Sequence, residues 1–301
     1  MTSESTMFLE HPKVMILMVI LGLRLSEAGL SVRLFGLPPD PIGAPLCLFE
    51  RWQEAVTGTV AVILPLPAAQ DGKHLAMPLL PECKAPRLEE VLAFLPAGTL
   101  LTGGKLGAEL MEQAAGSGLL PYDYFDSEEL QQKNAQPTAE GALMILMEQL
   151  PRVIRGSKIA VIGYGRVGQA LAQLLVAVGA EVTVAARRRE VLAKAAGCGC
   201  APLLIENDAS LLALTAGYHA ICNTVPHCLF GDGVLRALCR DTLLMELASA
   251  PGGIDAKAAK KHSIPVVYAL SLPGKYAPVT AGEIIADTVL ARAVLPLKRS
   301  E

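Results

Sequence analysis

Lys158-Ile159-Ala160-Val161-Ile162-Gly163-Tyr164-Gly165-Arg166-Val167-Gly168 is the stretch on which the fold turns. An apolar strand runs straight into Gly-x-Gly-x-x-Gly, and an amphipathic helix, Gln169 to Val178, follows at once. Gly179-Ala180 then leads into a second strand, Glu181 to Ala186. Strand, tight turn, helix and strand inside about 30 residues is the context that separates a dinucleotide fingerprint from an ordinary glycine-rich turn. Each glycine has its own duty. Gly163 permits the tight turn, Gly165 keeps side-chain bulk away from a pyrophosphate, and Gly168 lets the helix lie close on the strand. The helix start offers N–H groups and a positive dipole end to the phosphates. Gly163, Tyr164, Gly165, Arg166, Val167 and Gly168 are therefore read as the cofactor cradle.

The end of the second strand bears on which dinucleotide binds. An NAD site usually carries Asp or Glu there, about 20 residues on, to hold the ribose hydroxyls. Here Ala185-Ala186 is followed by Arg187-Arg188-Arg189, and Glu181 lies at the opposite end of the strand. A missing carboxylate removes repulsion of a 2′-phosphate, and guanidinium groups clamp phosphate by paired hydrogen bonds. Arg187 and Arg188 thus favour NADP, with NAD as the alternative.

Outside this stretch, the chain has 301 residues, is 52% hydrophobic and 18% charged, and so suits two α/β domains whose parallel strands are buried on both faces. Its net charge of -3, with no basic stripe, argues against nucleic acid. Seven cysteines are scattered without Cys-x-x-Cys spacing, so no metal site is expected and the thiols are read as small buried groups in a reducing cytoplasm. The apolar run Val14–Gly22 is shorter than the roughly 20 residues a bilayer requires. Glu4 and Glu10 spoil a signal-peptide start, so neither membrane nor export is expected.

Taken in order, residues 1–13 look polar and loosely held, and 14–26 fit either a strand leading into a helix or one buried helix. Strands at 60–64, 99–102 and 119–124, with helices at 87–95 and 105–116, complete a first α/β domain. A loop is expected at 37–41 and another over most of 68–84. A charged helix at 126–133 should break at Asn134-Ala135-Gln136-Pro137, with Thr138 capping a new helix to Ile154. Beyond the fingerprint, a strand at 203–205, one from 220 that runs into a polar loop by 226, and strands at 243–247 and 265–269 alternate with helices, Leu272–Lys275 reads as a loop, and Thr280 caps the last helix. The expected division is a substrate domain of residues 1–136 plus helix 283–301, and an NAD(P)-binding domain of residues 137–282.

Ligands of open α/β sheets bind beyond the carboxyl ends of the strands. The loops 163–168, 223–226 and 248–253 should share such a cleft. Asn223 and Thr224 are placed to bond a nicotinamide ribose or amide, Pro226 to fix its loop, and Ser249 to line the cofactor. Local turn capping is the competing role for Asn223 and Thr224. Helix N-termini at Thr138 and Thr280 would suit a carboxylate substrate, or would be ordinary caps.

Four segments then resemble a known family. They are Asn134-Ala-Gln-Pro-Thr-Ala-Glu-Gly141, Ile221-Cys-Asn-Thr-Val-Pro226, Leu247-Ala-Ser-Ala-Pro-Gly-Gly-Ile-Asp255 and Leu272-Pro-Gly-Lys-Tyr-Ala-Pro-Val-Thr-Ala-Gly282. With the fingerprint and Ala185-Ala186-Arg187, they are similar, in the same order over about residues 30–295, to the A chain of bacterial dipicolinate synthase. The resemblance implies a Rossmann-type doubly wound parallel sheet with a second, flavodoxin-like α/β domain, as in D-2-hydroxyacid dehydrogenases. It implies NADP-dependent oxidation of a dihydrodipicolinate-type precursor during sporulation, in the cytoplasm of the mother cell. The flavoprotein-like B chain of dipicolinate synthase is the implied partner, and a homo-oligomer is expected. Asn134, Thr138, Thr280 and Lys275 are then the candidate carboxylate contacts, and Glu140 and His227 the candidate proton acceptors. Other NADP-dependent dehydrogenation of a small carboxylic acid, and a non-catalytic cofactor-binding partner, are the alternatives. Two departures stand out. The family's Gly-Gly-Asp-x-Arg start is replaced by Met18-Val-Ile-Leu-Gly-Leu-Arg24, and its Ala-Ser-Arg-Pro-Gly-Gly has Ala250 for the arginine.

Overall fold

The computed structural model describes residues 4–37, 46–69, 71–76, 85–215 and 217–297. The chain divides into two units, Met1–Asn134 with Ala277–Glu301, and Ala135–Tyr276. In the first unit come α1 (Glu4–Glu27), β1 (Arg33–Phe35), β2 (Cys47–Phe49), α2 (Trp52–Val56), β3 (Ala61–Ile63), α3 (Leu88–Phe94), β4 (Leu100–Gly103), α4 (Gly107–Gly116) and β5 (Leu120–Asp123). β1 and β2 form one parallel pair, and β3, β4 and β5 a separate parallel sheet with β4 central. Leu88, Val91 and Leu92 of α3 and Ala114 of α4 pack with Leu101 of β4 in a single core. Residues 38–41 of the loop expected at 37–41, and 70 and 77–84 of the one expected over most of 68–84, fall outside the described residues.

The start of the chain corrects one expectation and settles another. Residues 14–26 lie in one helix, and that helix already begins at Glu4, inside the segment expected to be loosely held. Met18–Arg24, which stand in place of the family's Gly-Gly-Asp-x-Arg start, therefore lie within this helix, and Arg24, in its last turn, pairs with Glu27 (3.2 Å) and Asp287 (3.7 Å).

The next helix, α5 (Glu128–Gln149), runs through the boundary between the units. The expected break at 134–137 does not occur, Pro137 lies inside the helix, and Thr138 is not a cap. An interior proline forfeits one backbone bond and costs about 3 kcal/mol or more. Burial outweighs it. Leu130, Ala139, Ala142 and Leu146 are wholly buried, and one buried leucine contributes roughly 2 kcal/mol.

In the second unit follow β6 (Lys158–Ile162), α6 (Arg166–Ala177), β7 (Glu181–Ala186), α7 (Arg189–Gly197), β8 (Ala201–Leu204), α8 (Asp208–Leu212), β9 (Ala220–Asn223), α9 (Asp232–Ala237), β10 (Leu243–Glu246), α10 (Ala256–Lys261), β11 (Val266–Tyr268) and α11 (Leu272–Tyr276). Residues 272–275, expected as a loop, are thus helical. The six strands are parallel in the order β11-β10-β9-β6-β7-β8. Strand periodicity explains the layers. Ile159 and Val161 of β6 face one core with Leu146 of α5, Leu171 of α6 and Leu192 of α7. Ala160 and Ile162 face the other with Leu211 of α8, Val234 of α9 and Ala258 of α10. The sheet is therefore doubly wound.

The last helix, α12 (Pro278–Leu297), returns to the first unit, where Ile284, Ile285 and Val289 pack with Leu21 and Leu25 of α1. It starts at Pro278, so Thr280 is an exposed first-turn residue and not the expected cap. A proline at the first helical position lacks only an N–H that would go unbonded there.

Candidate functional site

The strands β6 and β9 lie side by side at the centre of the sheet, and their neighbours lead away in opposite directions. Loops that leave such a pair diverge and open a crevice at the carboxyl edge. Gly163 turns there with φ +90°, and a Cβ on it would stand 2.7 Å from both Thr224 Oγ1 and Val225 Cγ2. A Cβ on Gly168 would overlap the Gly163 carbonyl oxygen. Gly165 differs: it is exposed, and a Cβ there would meet nothing within 4 Å. The first bond of α6 runs from Gln169 N to Gly165 O (2.8 Å), so the turn before it directs its N–H groups out of the helix end. Two glycines are closed by packing and the middle one is open, which is the fit a dinucleotide phosphate requires.

Tyr164 turns its side chain into the core. Its side chain is buried, and its hydroxyl is pushed up to about 12, first by burial and then by the neighbouring Cys198 thiol. Arg166 and Val167 occupy the first turn of α6 and are half-buried. At the end of β7, Ala186 is followed by Arg187 and Arg188, both exposed, with no carboxylate at the strand end. The third arginine of the run, Arg189, pairs with Glu206 (3.4 Å).

Asn223 and Thr224 both make the turn bonds of the competing role. Thr224 donates its hydroxyl to Ile162 O (2.7 Å) and closes over Gly163. Asn223 is fully buried, and its amide donates to Val225 O (3.0 Å) and to Glu246 Oε1 (2.7 Å). Both side chains therefore brace the turns at the strand ends. Glu246 is the site residue that motif reading missed. It is 3% exposed and ends β10, where Oε1 also accepts from Ala248 N (3.0 Å) and Oε2 from Gly253 N (2.7 Å). A single acid in the apolar run Leu243-Leu244-Met245-Glu246-Leu247 was the available signal.

Pro226, His227 and Ser249 are exposed on the loops after β9 and β10. Glu140 is exposed on α5 and accepts from Gln136 Nε2 (3.0 Å), an i,i+4 pair. Asn134 and Thr138 are half-buried within α5, and Lys275 is half-buried within α11. Cys200 and Cys222 are buried as expected of the thiols, whereas Cys47, Cys198, Cys228 and Cys239 are exposed, and Cys83 lies outside the described residues. Among the described residues no group of three His, Cys, Asp or Glu could hold a metal, and no helix is long and apolar enough to cross a membrane.

Six parallel strands in this order, with an open glycine at the first helix start, define a nucleotide-binding domain of the dehydrogenase type. Residues 105–215 match the family model of the D-isomer specific 2-hydroxyacid dehydrogenase NAD binding domain, and residues 18–125 that of the N-terminal domain of the dipicolinate synthase A chain. The dipicolinate synthase A chain of Bacillus subtilis (strain 168) is 31% identical over 241 residues, 80% of each chain, and the protein belongs to the dipicolinate synthase A-chain family. The crystal structure of the A chain from Bacillus halodurans has a TM-score of 0.82 at 26% identity, covering 91% of this chain and 93% of the other. The crystal structure from Bacillus subtilis has a TM-score of 0.80 at 28% identity, covering 94% of each.

Proposed function

We propose that the chain oxidises a dihydrodipicolinate-type dicarboxylic acid to dipicolinate with NADP, in the cytoplasm of a sporulating mother cell. The observation that carries this is the open face of Gly165 at the start of α6, in a member of the dipicolinate synthase A-chain family. A bound nicotinamide dinucleotide would supply the hydride acceptor. The turn 163–168 holds the pyrophosphate through backbone N–H groups, and Arg187 and Arg188 clamp a 2′-phosphate where a carboxylate would repel it. Ser249 and Pro226 line the nicotinamide end. The protein's further task is to orient the ring, whose gain of aromaticity drives the step, and to accept one proton. His227 and Glu140 are the candidates for that proton. Lys275, Asn134, Thr138 and Thr280 are the candidates for the carboxylates. Residues 1–136 with 283–301 act as the substrate domain and 137–282 as the cofactor domain.

The test follows absorbance at the reduced-nicotinamide band with freshly generated dihydrodipicolinate, against a panel of 2-hydroxy acids. Turnover of dihydrodipicolinate with NADP is expected, and turnover of a 2-hydroxy acid alone would overturn the assignment. A second reading rests on Ala250, which stands exposed where the family has an arginine. It makes the protein a cofactor-binding partner of the flavoprotein-like B chain, with no hydride transfer of its own. Activity seen only when both chains are mixed would favour it.

A further inference from the structure

Three donors meet the Glu246 carboxylate. Oε1 receives Asn223 Nδ2 (2.7 Å) and Ala248 N (3.0 Å), and Oε2 receives Gly253 N (2.7 Å). An amide in its place would turn its own NH2 against at least one of these groups, so the position calls for an acceptor at both oxygens. The partners also sit at the ends of two loops. Asn223 holds Val225 in both directions, from Nδ2 to Val225 O (3.0 Å) and from Val225 N to Oδ1 (3.2 Å). Gly253 passes its carbonyl to Leu229 N and Phe230 N, each at 2.9 Å. The loop 224–230 is thus tied at its start through Asn223 and at its end through Gly253. The loop 248–253 is tied at both ends to the carboxylate itself. The glycines there match this closeness, since a Cβ on Gly253 would overlap Asn223 Nδ2 and one on Gly252 would stand 3.1 Å from Glu246 Oε2.

We propose that Glu246 is a positioning residue, one buried carboxylate that sets the mutual placement of the loops 224–230 and 248–253 beside the fingerprint turn. Thr224, which closes over Gly163, and the exposed Pro226, His227 and Ser249 ride on those loops. Through them Glu246 orients the nicotinamide end of a bound dinucleotide and His227, one of the two candidate proton acceptors. This rests on the dehydrogenase reading above and adds to it the part that holds the crevice in shape.

The test compares Glu246→Gln, Glu246→Asp and, as a stability control, Asp123→Asn. Hydrogen exchange without ligand reads the loops, and fluorescence titration with NADPH and NADH reads the crevice. Glu246→Gln should speed exchange in peptides covering both loops and raise the dinucleotide Kd at least about tenfold, the worth of one charge-assisted bond. Glu246→Asp keeps both acceptor oxygens and should recover part of the loss, and it carries the test if the glutamine variant does not fold. Asp123→Asn should lower the Tm and leave the Kd alone. An unchanged Kd in both Glu246 variants, faster exchange in one loop only, or an equal Kd change in Asp123→Asn overturns the proposal. A parent protein that binds neither dinucleotide overturns the dehydrogenase reading and the cofactor role of Glu246 with it, whereas binding unaltered by the variants overturns the role of Glu246 alone.

Discussion

Asp123 in the first unit and Glu246 in the second do the same local work in different surroundings. Each is a buried carboxylate at the end of a parallel strand. Asp123 accepts from Lys105 N (3.0 Å), Leu106 N (2.7 Å) and Phe125 N (2.8 Å), and Glu246 accepts from one side-chain amide and two backbone N–H groups. The glycines nearby part company. A Cβ on Gly103 would stand 2.5 Å from Leu106 Cδ2, and one on Gly104 2.6 Å from Tyr124 Cε2. Gly165, beside the loops that Glu246 braces, faces open space. A buried acid is thus a general way to satisfy the N–H groups of a strand-end loop. Gly107, next to Leu106, is open as well, so an uncovered glycine leaves room for a ligand's phosphate only together with the fingerprint turn around it.

Substitutions at these glycines give the largest effects. Gly168→Ala sets a methyl against the fixed Gly163 carbonyl oxygen, and it should cost about 3 kcal/mol of stability in thermal unfolding, the upper end for overpacking. Gly104→Ala meets aromatic edges that can turn aside, so about 1–2 kcal/mol is expected. The contrast between rigid and yielding neighbours fails if the second variant proves the less stable. Gly165→Ala should leave the Tm near that of the parent yet weaken dinucleotide binding at least about tenfold, because its methyl points where a phosphate would lie. Equal affinity in that variant would break the comparison between open and closed glycines.

Charge effects come next. Arg187→Ala with Arg188→Ala should cut the preference for NADPH over NADH about tenfold, measured as a ratio of Kd values. An unchanged ratio would remove the two arginines from the cofactor assignment. The smallest effect is expected at Asp232 on α9. Its carboxyl is held down at about 2 from the usual 3.8, first by the Lys261 bond (2.7 Å) and then by His262 (2.9 Å) on α10. A depressed carboxyl contributes stability that is complete above its unfolded value and is lost as pH falls through the folded value. Asp232→Asn should therefore flatten the Tm only between pH 3.8 and about 2, and an identical Tm profile in parent and variant would show the pair to be inert.

Much of the second unit was legible because its signals are local and reinforce one another. The fingerprint, the run of six strands and the alternation in β6 are read from neighbouring residues, and each has a direct counterpart in the sheet. The first unit and the helices that enter and leave it were less legible. Pro137 is a breaker by every local rule, yet it is carried inside α5 because the residues around it are buried. Gly141 and Gly282 belong to the segments that make the family resemblance specific, and both are packing glycines. A Cβ on Gly141 would stand 2.9 Å from Leu272 Cβ, and one on Gly282 2.8 Å from Leu17 O. The turn bonds of Asn223 and the loop bonds of Glu246 are not written locally, because their partners lie at other points of the chain.

What the sequence by itself determined is the alternation of strands and helices in the second unit and the place of its glycine turn, since each is written in residues close along the chain; the doubly wound order came with the family resemblance. Only the tertiary structure decided which glycine is open, which polar side chains brace loops, and that 14–26 and 134–138 are helical. These are outcomes of burial between distant segments, and a local pattern carries no record of the neighbour that will arrive.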